Sequence, residues 1–200
     1  MKMYRWVTVI FVVILSFFSI IGSGGGGGSG DTDTGPVANP NDVIINGVPR
    51  IETTVQNSCA SRAITQLLQQ KGVPVEFEDV FDRVGLPPFS YQDGCYGVKS
   101  WVRSLGYEMN YVRQGTKEEI INLISNGILV MVVQMYSHND WTGHNRVVMG
   151  YNLNDQIFIL EDDGLPPRYR IKMDVFMDLW IRGAQELGWP GPPLWYLLPR

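Results

Sequence analysis

Cysteine and histidine are scarce in this sequence, which has two residues of each type among 200. The four residues, Cys59, Cys95, His138 and His144, lie at separations that match no zinc-site spacing. We therefore expect no metal centre, and no motif in the sequence calls for a cofactor. Any chemistry that needs a thiol or an imidazole has to use this small set of side chains.

The chain also lacks an excess of charge. Its formal net charge is −4 and no cluster of Lys and Arg stands out, which excludes the basic surface that nucleic-acid-binding proteins use. With 44% hydrophobic residues, 200 residues suffice for one globular domain with a core. No repeat of 20 to 50 residues and no second linker divides residues 42–200, so we predict a single folded domain there.

The N-terminus differs from the rest of the chain. Lys2 and Arg5 precede an apolar run over residues 7–21, which is shorter than the ~20 apolar residues of a spanning helix. We predict that residues 1–22 are a secretory signal peptide or a membrane anchor and that the protein is exported. The Gly- and Ser-rich residues 23–41 should form a disordered linker.

One serine in this region bears on membrane attachment. Ser23 stands where a bacterial lipoprotein processing box would carry its lipidated cysteine. Because a hydroxyl cannot form the thioether, lipidation is not expected in the sequence as written. A replaced cysteine and an ordinary signal followed by a flexible linker both remain open interpretations.

Hydrophobic patterning predicts helices first and antiparallel strands afterwards, which is typical of an α+β domain. Helices are predicted over residues 58–70, 78–84, 98–105, 116–126 and 173–187. Strands are predicted over residues 107–112, 128–135, 146–151, 156–160 and 168–171, with an edge strand over residues 194–198.

Cys59 stands at the start of the first predicted helix. Unpaired backbone N–H groups and the helix dipole lower the pKa of a thiol at such a position, which favours a nucleophile. A buried structural cysteine or a disulfide with Cys95 are the alternatives, since export permits a disulfide.

His144 lies just before or at the start of the predicted strand over residues 146–151, where its side chain can project into a cleft. An imidazole there can take the thiol proton and later protonate a leaving amine. The alternative is a histidine that bonds a backbone carbonyl. His138 is expected in a surface loop.

Three acidic residues, Glu161, Asp162 and Asp163, follow the predicted strand over residues 156–160. If the alternation of the strand continues, Asp162 lies on the face of Phe158 and Leu160 and can orient the imidazole of His144. A shift of register by one residue would give Asp163 this place. An acidic loop in solvent is the alternative.

Gln56 can offer its side-chain amide to an oxyanion, together with the backbone N–H of Cys59. A lone Gln before a Cys says little. The order Gln56, Cys59, His144, Asp162 along one chain is more specific.

These stretches resemble the papain-like superfamily of cysteine peptidases, and within it the double-glycine leader peptidases of bacteriocin exporters and their stand-alone bacterial relatives. The resembling segments are residues 55–63, 143–151, 157–164 and 174–180. The resemblance implies a papain-like fold in which an N-terminal helical layer carrying the Cys packs against an antiparallel sheet carrying His and Asp. It assigns the nucleophile to Cys59, the base to His144, the orienting acid to Asp162 and the oxyanion donor to Gln56.

The sequence departs from the family at three of these places, one of which is Asp163, which replaces the proline that often follows the orienting aspartate. Gln56 is closer to Cys59 than is usual, and Asn145 stands where the family tends to have an aromatic or apolar residue. We predict an exported thiol peptidase acting on a peptide or protein substrate. Alternatives are an amidase, deamidase or acyl-transfer enzyme with the same residues, and an inactive papain-like binding module at the cell envelope.

Overall fold

The computed structural model describes residues 40–84, 96–162 and 164–200, in which helices pack against an antiparallel sheet. The predictions for the signal segment, for the linker up to residue 39, for Cys95 and for Asp163 lie outside these residues. In chain order the elements are β1 (Asp42–Ile44), α1 (Cys59–Gln70), α2 (Phe77–Val84), α3 (Tyr96–Ser104), β2 (Tyr107–Val112), α4 (Lys117–Ser125), β3 (Val130–Ser137), β4 (Asp140–Asn152), β5 (Ile157–Glu161), β6 (Tyr169–Lys172), α5 (Met173–Glu186) and β7 (Leu194–Pro199).

The described strands form one sheet in the order β2-β7-β3-β4-β5-β6, and β1 pairs separately with β4. The pairings between these strands are antiparallel. Strand β4 is 13 residues long and pairs with β3, β5 and β1. A Cβ on Gly150 would lie 2.6 Å from the carbonyl oxygen of Val43, so only glycine lets β1 approach β4 this closely.

Helix α1 packs against β4, and α5 packs against β3. The α1 residues Ile64, Leu67 and Leu68 are buried, as the apolar spacing of that helix predicts. On α5, the ring of Phe176 lies 4.8 Å from that of Phe158 in β5. The long strand β4 is thereby fixed beside the N-terminal helix that begins with Cys59.

Helix α4 begins as its sequence predicts. Thr116 Oγ1 accepts from the backbone N–H of Glu119, and the Glu119 carboxylate accepts from the backbone N–H of Thr116. This reciprocal pair is a capping box, which satisfies two backbone N–H groups at the start of the helix.

The α+β fold class is confirmed, two local predictions need correction, and one strand was missed. Strand β4 starts at Asp140, six residues before the predicted start, so His144 lies inside a strand opposite Gln134. Strands were predicted from apolar runs, and the first residues of β4 are mostly polar, so this part of the strand was not predicted. Strand β7 lies between β2 and β3 rather than at an edge, and Leu194 and Trp195 are buried there. The three-residue strand β1 was not predicted.

Within the described ranges 40–84, 96–162 and 164–200, none of the helices has the length and apolar character needed to cross a bilayer.

Candidate active site

A tight turn presents Cys59 at the first position of α1. Asn57 in this turn has φ 58°, a left-handed conformation that asparagine tolerates better than most residues. The hydroxyl of Ser58 donates to the carbonyl oxygen of Val55 at 2.7 Å and makes no cap to the helix. The first N–H groups of α1 are therefore not capped by the Ser58 side chain, and the positive end of the helix dipole lies at the cysteine.

Cys59 is a free, partly buried thiol whose sulfur has two neighbouring residues on β4. Asn145 donates to the sulfur from Nδ2 at 3.3 Å, and the imidazole of His144 and the backbone N–H of Asn145 also interact with it. Burial by itself raises the pKa of the thiol, but these bonds and the charge of the imidazole outweigh it and lower the pKa to about 7. The thiol is thus poised to ionise near neutral pH.

His144 lies between this sulfur and a carboxylate. Its Nε2 is 2.9 Å from Oδ2 of Asp162, which leaves Nδ1 for the sulfur of Cys59. The ring of Tyr136 packs edge-on against the imidazole at 5.0 Å. Burial lowers the pKa of His144, but the hydrogen bonds to Asp162 and Cys59 raise it above the ordinary value.

Asp162 follows β5 directly, and its side chain is 1% exposed. Oδ2 accepts from His144 and also from Nε of Arg146 at 2.8 Å, and Oδ1 accepts from the backbone N–H of Gly164 at 3.1 Å. Burial alone would raise the pKa of this carboxyl group. The hydrogen bonds and charges of His144 and Arg146 instead hold it well below its usual range.

Arg146 is a further residue at this site that the sequence patterns did not predict. Its guanidinium is buried, with Nη1 donating to Oε1 of Gln134 at 2.6 Å and Nη2 donating to the carbonyl oxygen of Tyr136 at 2.8 Å. Alternation along a strand places Arg146 on the same face as His144. An arginine two residues after the candidate base, directly before an apolar run, was the signal that could have indicated it.

Glu161 has different partners from Asp162. Its Oε1 accepts from Nη1 of Arg50 at 2.8 Å, and Arg50 also donates to the carbonyl oxygens of Asp162 and Leu165. Arg50 therefore attaches the segment before α1 to the loop that carries Asp162. Asp163 lies outside the described residues, so the choice between the two aspartates stays a prediction.

Gln56 and His138 lie apart from these contacts. Gln56 is exposed in the turn before α1, and its side chain has no hydrogen-bond partner among the described residues, so its role as oxyanion donor stays a prediction. His138 occupies the turn between β3 and β4, is exposed, and has Nε2 2.8 Å from Oδ2 of Asp178. The structure thus brings Cys59, His144 and Asp162 together.

No protein-family model matches this sequence, and neither does any curated protein. Two solved structures are similar over 80% of this chain and 99% of theirs. One, described as a C39-like peptidase from Bacillus anthracis, has a TM-score of 0.62 and 13% identity. The other, a double-glycine motif protease from an AMS/PCAT transporter in complex with the leader peptide, has a TM-score of 0.52 and 17% identity. These likenesses show the fold, and the papain-like fold that the sequence resemblance predicted is confirmed.

Proposed function

We propose that this chain is an exported cysteine peptidase that cleaves peptide bonds with Cys59 as nucleophile, His144 as base and Asp162 as orienting acid. The observation that carries the proposal is the continuous path from sulfur to imidazole to carboxylate. Its last step is the 2.9 Å contact between His144 and Asp162. The likeness of the fold to two peptidases supports a hydrolase that acts through a thiol.

In the proposed reaction, these side chains provide a donor or an acceptor for each proton. The thiolate of Cys59 attacks the carbonyl carbon of the peptide bond, and protonated His144 gives its proton to the leaving amine as the C–N bond breaks. A thioester remains on Cys59. His144 then takes a proton from water, the resulting hydroxide displaces the sulfur, and the acid product leaves with the thiol regenerated.

The negative oxygen that forms in both steps needs donors. The backbone N–H of Cys59, at the uncapped start of α1, is one candidate, and the side-chain amide of Gln56 is the other. Gln56 is exposed without substrate, so we propose that its amide turns toward the oxyanion when a peptide binds. Apo enzymes often show looser catalytic contacts than the complexes they form.

Two features support a peptide substrate outside the cytoplasm. One of the similar proteases was solved in complex with a leader peptide, which supports a peptide as the class of substrate here. The charged start and apolar run of residues 1–22 support export, with the segment cleaved or retained as a membrane tether.

The test is covalent labelling followed by digestion of a peptide mixture. A thiol-directed epoxide or vinyl sulfone should label Cys59 and spare Cys95, and the unlabelled protein should create new peptide N-termini that Cys59→Ala does not create. Release of ammonia from Gln or Asn side chains without new N-termini would show that the protein is a deamidase and not a peptidase. If the reagent does not label Cys59, the proposal is overturned and the chain is better described as an inactive binding module.

A further inference from the structure

We infer that Asn145 is a further catalytic residue, whose side-chain amide and backbone N–H together hold the sulfur of Cys59 as a thiolate. The inference rests on the proposed function, because it assigns a second group to the nucleophile of that reaction. No part of the sequence resemblance assigns a role to Asn145.

The geometry of the contact carries the inference. Nδ2 of Asn145 lies 3.3 Å from Sγ of Cys59, and the backbone N–H of the same residue also donates to the sulfur. His144 approaches the sulfur as well, so two residues adjacent on β4 supply the described hydrogen bonds of the thiol. Amide donors prefer an anion to a neutral acceptor, so both groups favour the thiolate over the thiol.

The kind of residue at this position supports the same role. Asn145 is 4% exposed, and a buried amide is costly unless it is hydrogen bonded. An aromatic or apolar residue, as the resembling family tends to have here, would avoid that cost. In this chain the sulfur of Cys59 is a partner of the amide.

Other charges face Cys59 too, and a substitution at Asn145 leaves them in place. The closest on the same helix is the half-buried guanidinium of Arg62, which interacts with Cys59 and Asp162. The charged and titratable groups around the sulfur are Arg62 on α1, His144 on β4, Tyr136 on β3, Glu161 and Asp162 at the end of β5, and Arg50 bound to Glu161.

A thiol with a pKa of about 7 is well suited to attack at neutral pH, because a lower pKa gives more thiolate but a weaker nucleophile. Loss of the Asn145 amide should raise the pH midpoint of thiol reactivity by about one pH unit. With a Brønsted coefficient of ~0.4–0.5, the variant should then react about threefold more slowly than the wild type at pH 6 and roughly twofold to threefold faster at pH 9. The two rate curves should cross.

The experiment measures the rate of Cys59 with 2,2′-dipyridyl disulfide from pH 5 to 10. The full chain carries Cys95→Ser, which leaves Cys59 as its one thiol because the sequence has two cysteines. Asn145→Leu should show the crossing. Asn145→Asp, of nearly the same size, should raise the midpoint further because it puts a negative charge beside the sulfur in place of the donor.

Gln66→Leu is the matched control. Gln66 lines the same pocket with a buried amide, but its Nε2 donates to the carbonyl oxygen of Pro49 at 2.9 Å rather than to the sulfur. The pH midpoint of Cys59 reactivity in Gln66→Leu should therefore stay at the wild-type value. If Asn145→Leu does not fold, the shift of the pH midpoint in the isosteric Asn145→Asp tests the inference.

Curves of both Asn145 variants that superpose on the wild type would overturn the inference. So would an equal shift in Gln66→Leu, because a general disturbance of the pocket would then explain the change. The readout needs no peptide substrate. If the chain cleaves no peptide and the rate curves still cross, the proposed peptidase activity is refuted and the contact between Asn145 and Cys59 stands. If the chain cleaves peptides and the curves do not cross, only the role of Asn145 is refuted.

Discussion

Arg146 donates from Nε to Oδ2 of Asp162 at 2.8 Å, the same carboxylate oxygen that lies 2.9 Å from His144. Both side chains of this ion pair are almost fully buried. The carboxylate is therefore held from two sides, and His144 meets an acid that is both charged and fixed in position. The remaining donors of the guanidinium reach Gln134 and Tyr136, so Arg146 ties the acid to strand β3 as well.

This contact predicts that Arg146→Met strongly destabilises the fold. The substitution leaves Asp162 buried without one of its two cationic partners, and such a loss typically costs about 3–5 kcal/mol. Urea unfolding at pH 7 measures it. Arg182→Met is the control, because Arg182 pairs with Asp178 at the surface and should change the free energy of unfolding little. Equal, small losses in both variants would contradict a structural role for the buried pair.

Local patterns in the sequence were enough for the helices, for strands β3 and β5 and for the order of the candidate site residues. They did not indicate the roles of Arg146 and Asn145, because each acts through partners distant in sequence. Arg146 meets Asp162 16 residues away, and Asn145 meets Cys59 86 residues away. A buried cation or amide is acceptable only where such partners exist, and no local periodicity records them.

The pairing of Cys59 with His144 predicts how fast the thiol is alkylated. The rate with iodoacetamide should rise with pH around a midpoint of about 7, and His144→Ala should move that midpoint toward the ordinary thiol value of 9.0. At pH 6.5 the variant should therefore react much more slowly. Mass spectrometry of the modified peptide assigns the reaction to Cys59.

His138→Ala is the matched histidine control, because His138 contacts Asp178 at the surface. It should leave the alkylation midpoint in place. Unchanged rates in His144→Ala would exclude the imidazole as the group that activates the thiol.

The stability of the fold should depend on pH through Asp162 and His144 in opposite directions. Because folding lowers the pKa of Asp162, its contribution is present above the unfolded value of about 3.9 and is lost as the pH falls below it. Because folding raises the pKa of His144, its contribution is present below the unfolded value of about 6.5 and is lost as the pH rises through the higher folded value.

Urea unfolding of the wild type and of Asp162→Asn between pH 3 and pH 8 tests this. The difference in the free energy of unfolding should be large above pH 5 and should shrink below about pH 4, where the carboxylate of the unfolded chain becomes protonated. A difference that stays constant across this range would show that the charge of Asp162 does not contribute to stability.

The proposed oxyanion role of Gln56 predicts a loss of turnover without a change in the thiol. Gln56→Ala should lower kcat by roughly 10²–10³, as the loss of one oxyanion donor does, and should leave the alkylation midpoint of Cys59 unchanged. Gln185→Ala, at an exposed position on α5, is the control and should keep the wild-type kcat. A wild-type kcat in Gln56→Ala would mean that the oxyanion is held by other donors, with the backbone N–H of Cys59 as the first candidate.

The last prediction distinguishes the two neighbouring aspartates. Asp162 contacts His144 directly, so Asp162→Ala should lose most turnover, and Asp162→Asn should do so by up to ~10⁴ because it favours the wrong tautomer of the imidazole. Asp163→Ala should keep its turnover, because the strand alternation expected from the sequence puts Asp162, and not Asp163, on the face of Phe158 and Leu160. Steady-state kinetics on a peptide identified in the digest gives kcat and KM for each variant. The tautomer argument requires the loss to appear in kcat. If Asp163→Ala were the inactive variant and Asp162→Ala the active one, the 2.9 Å contact would have no catalytic role and the orienting acid would be Asp163.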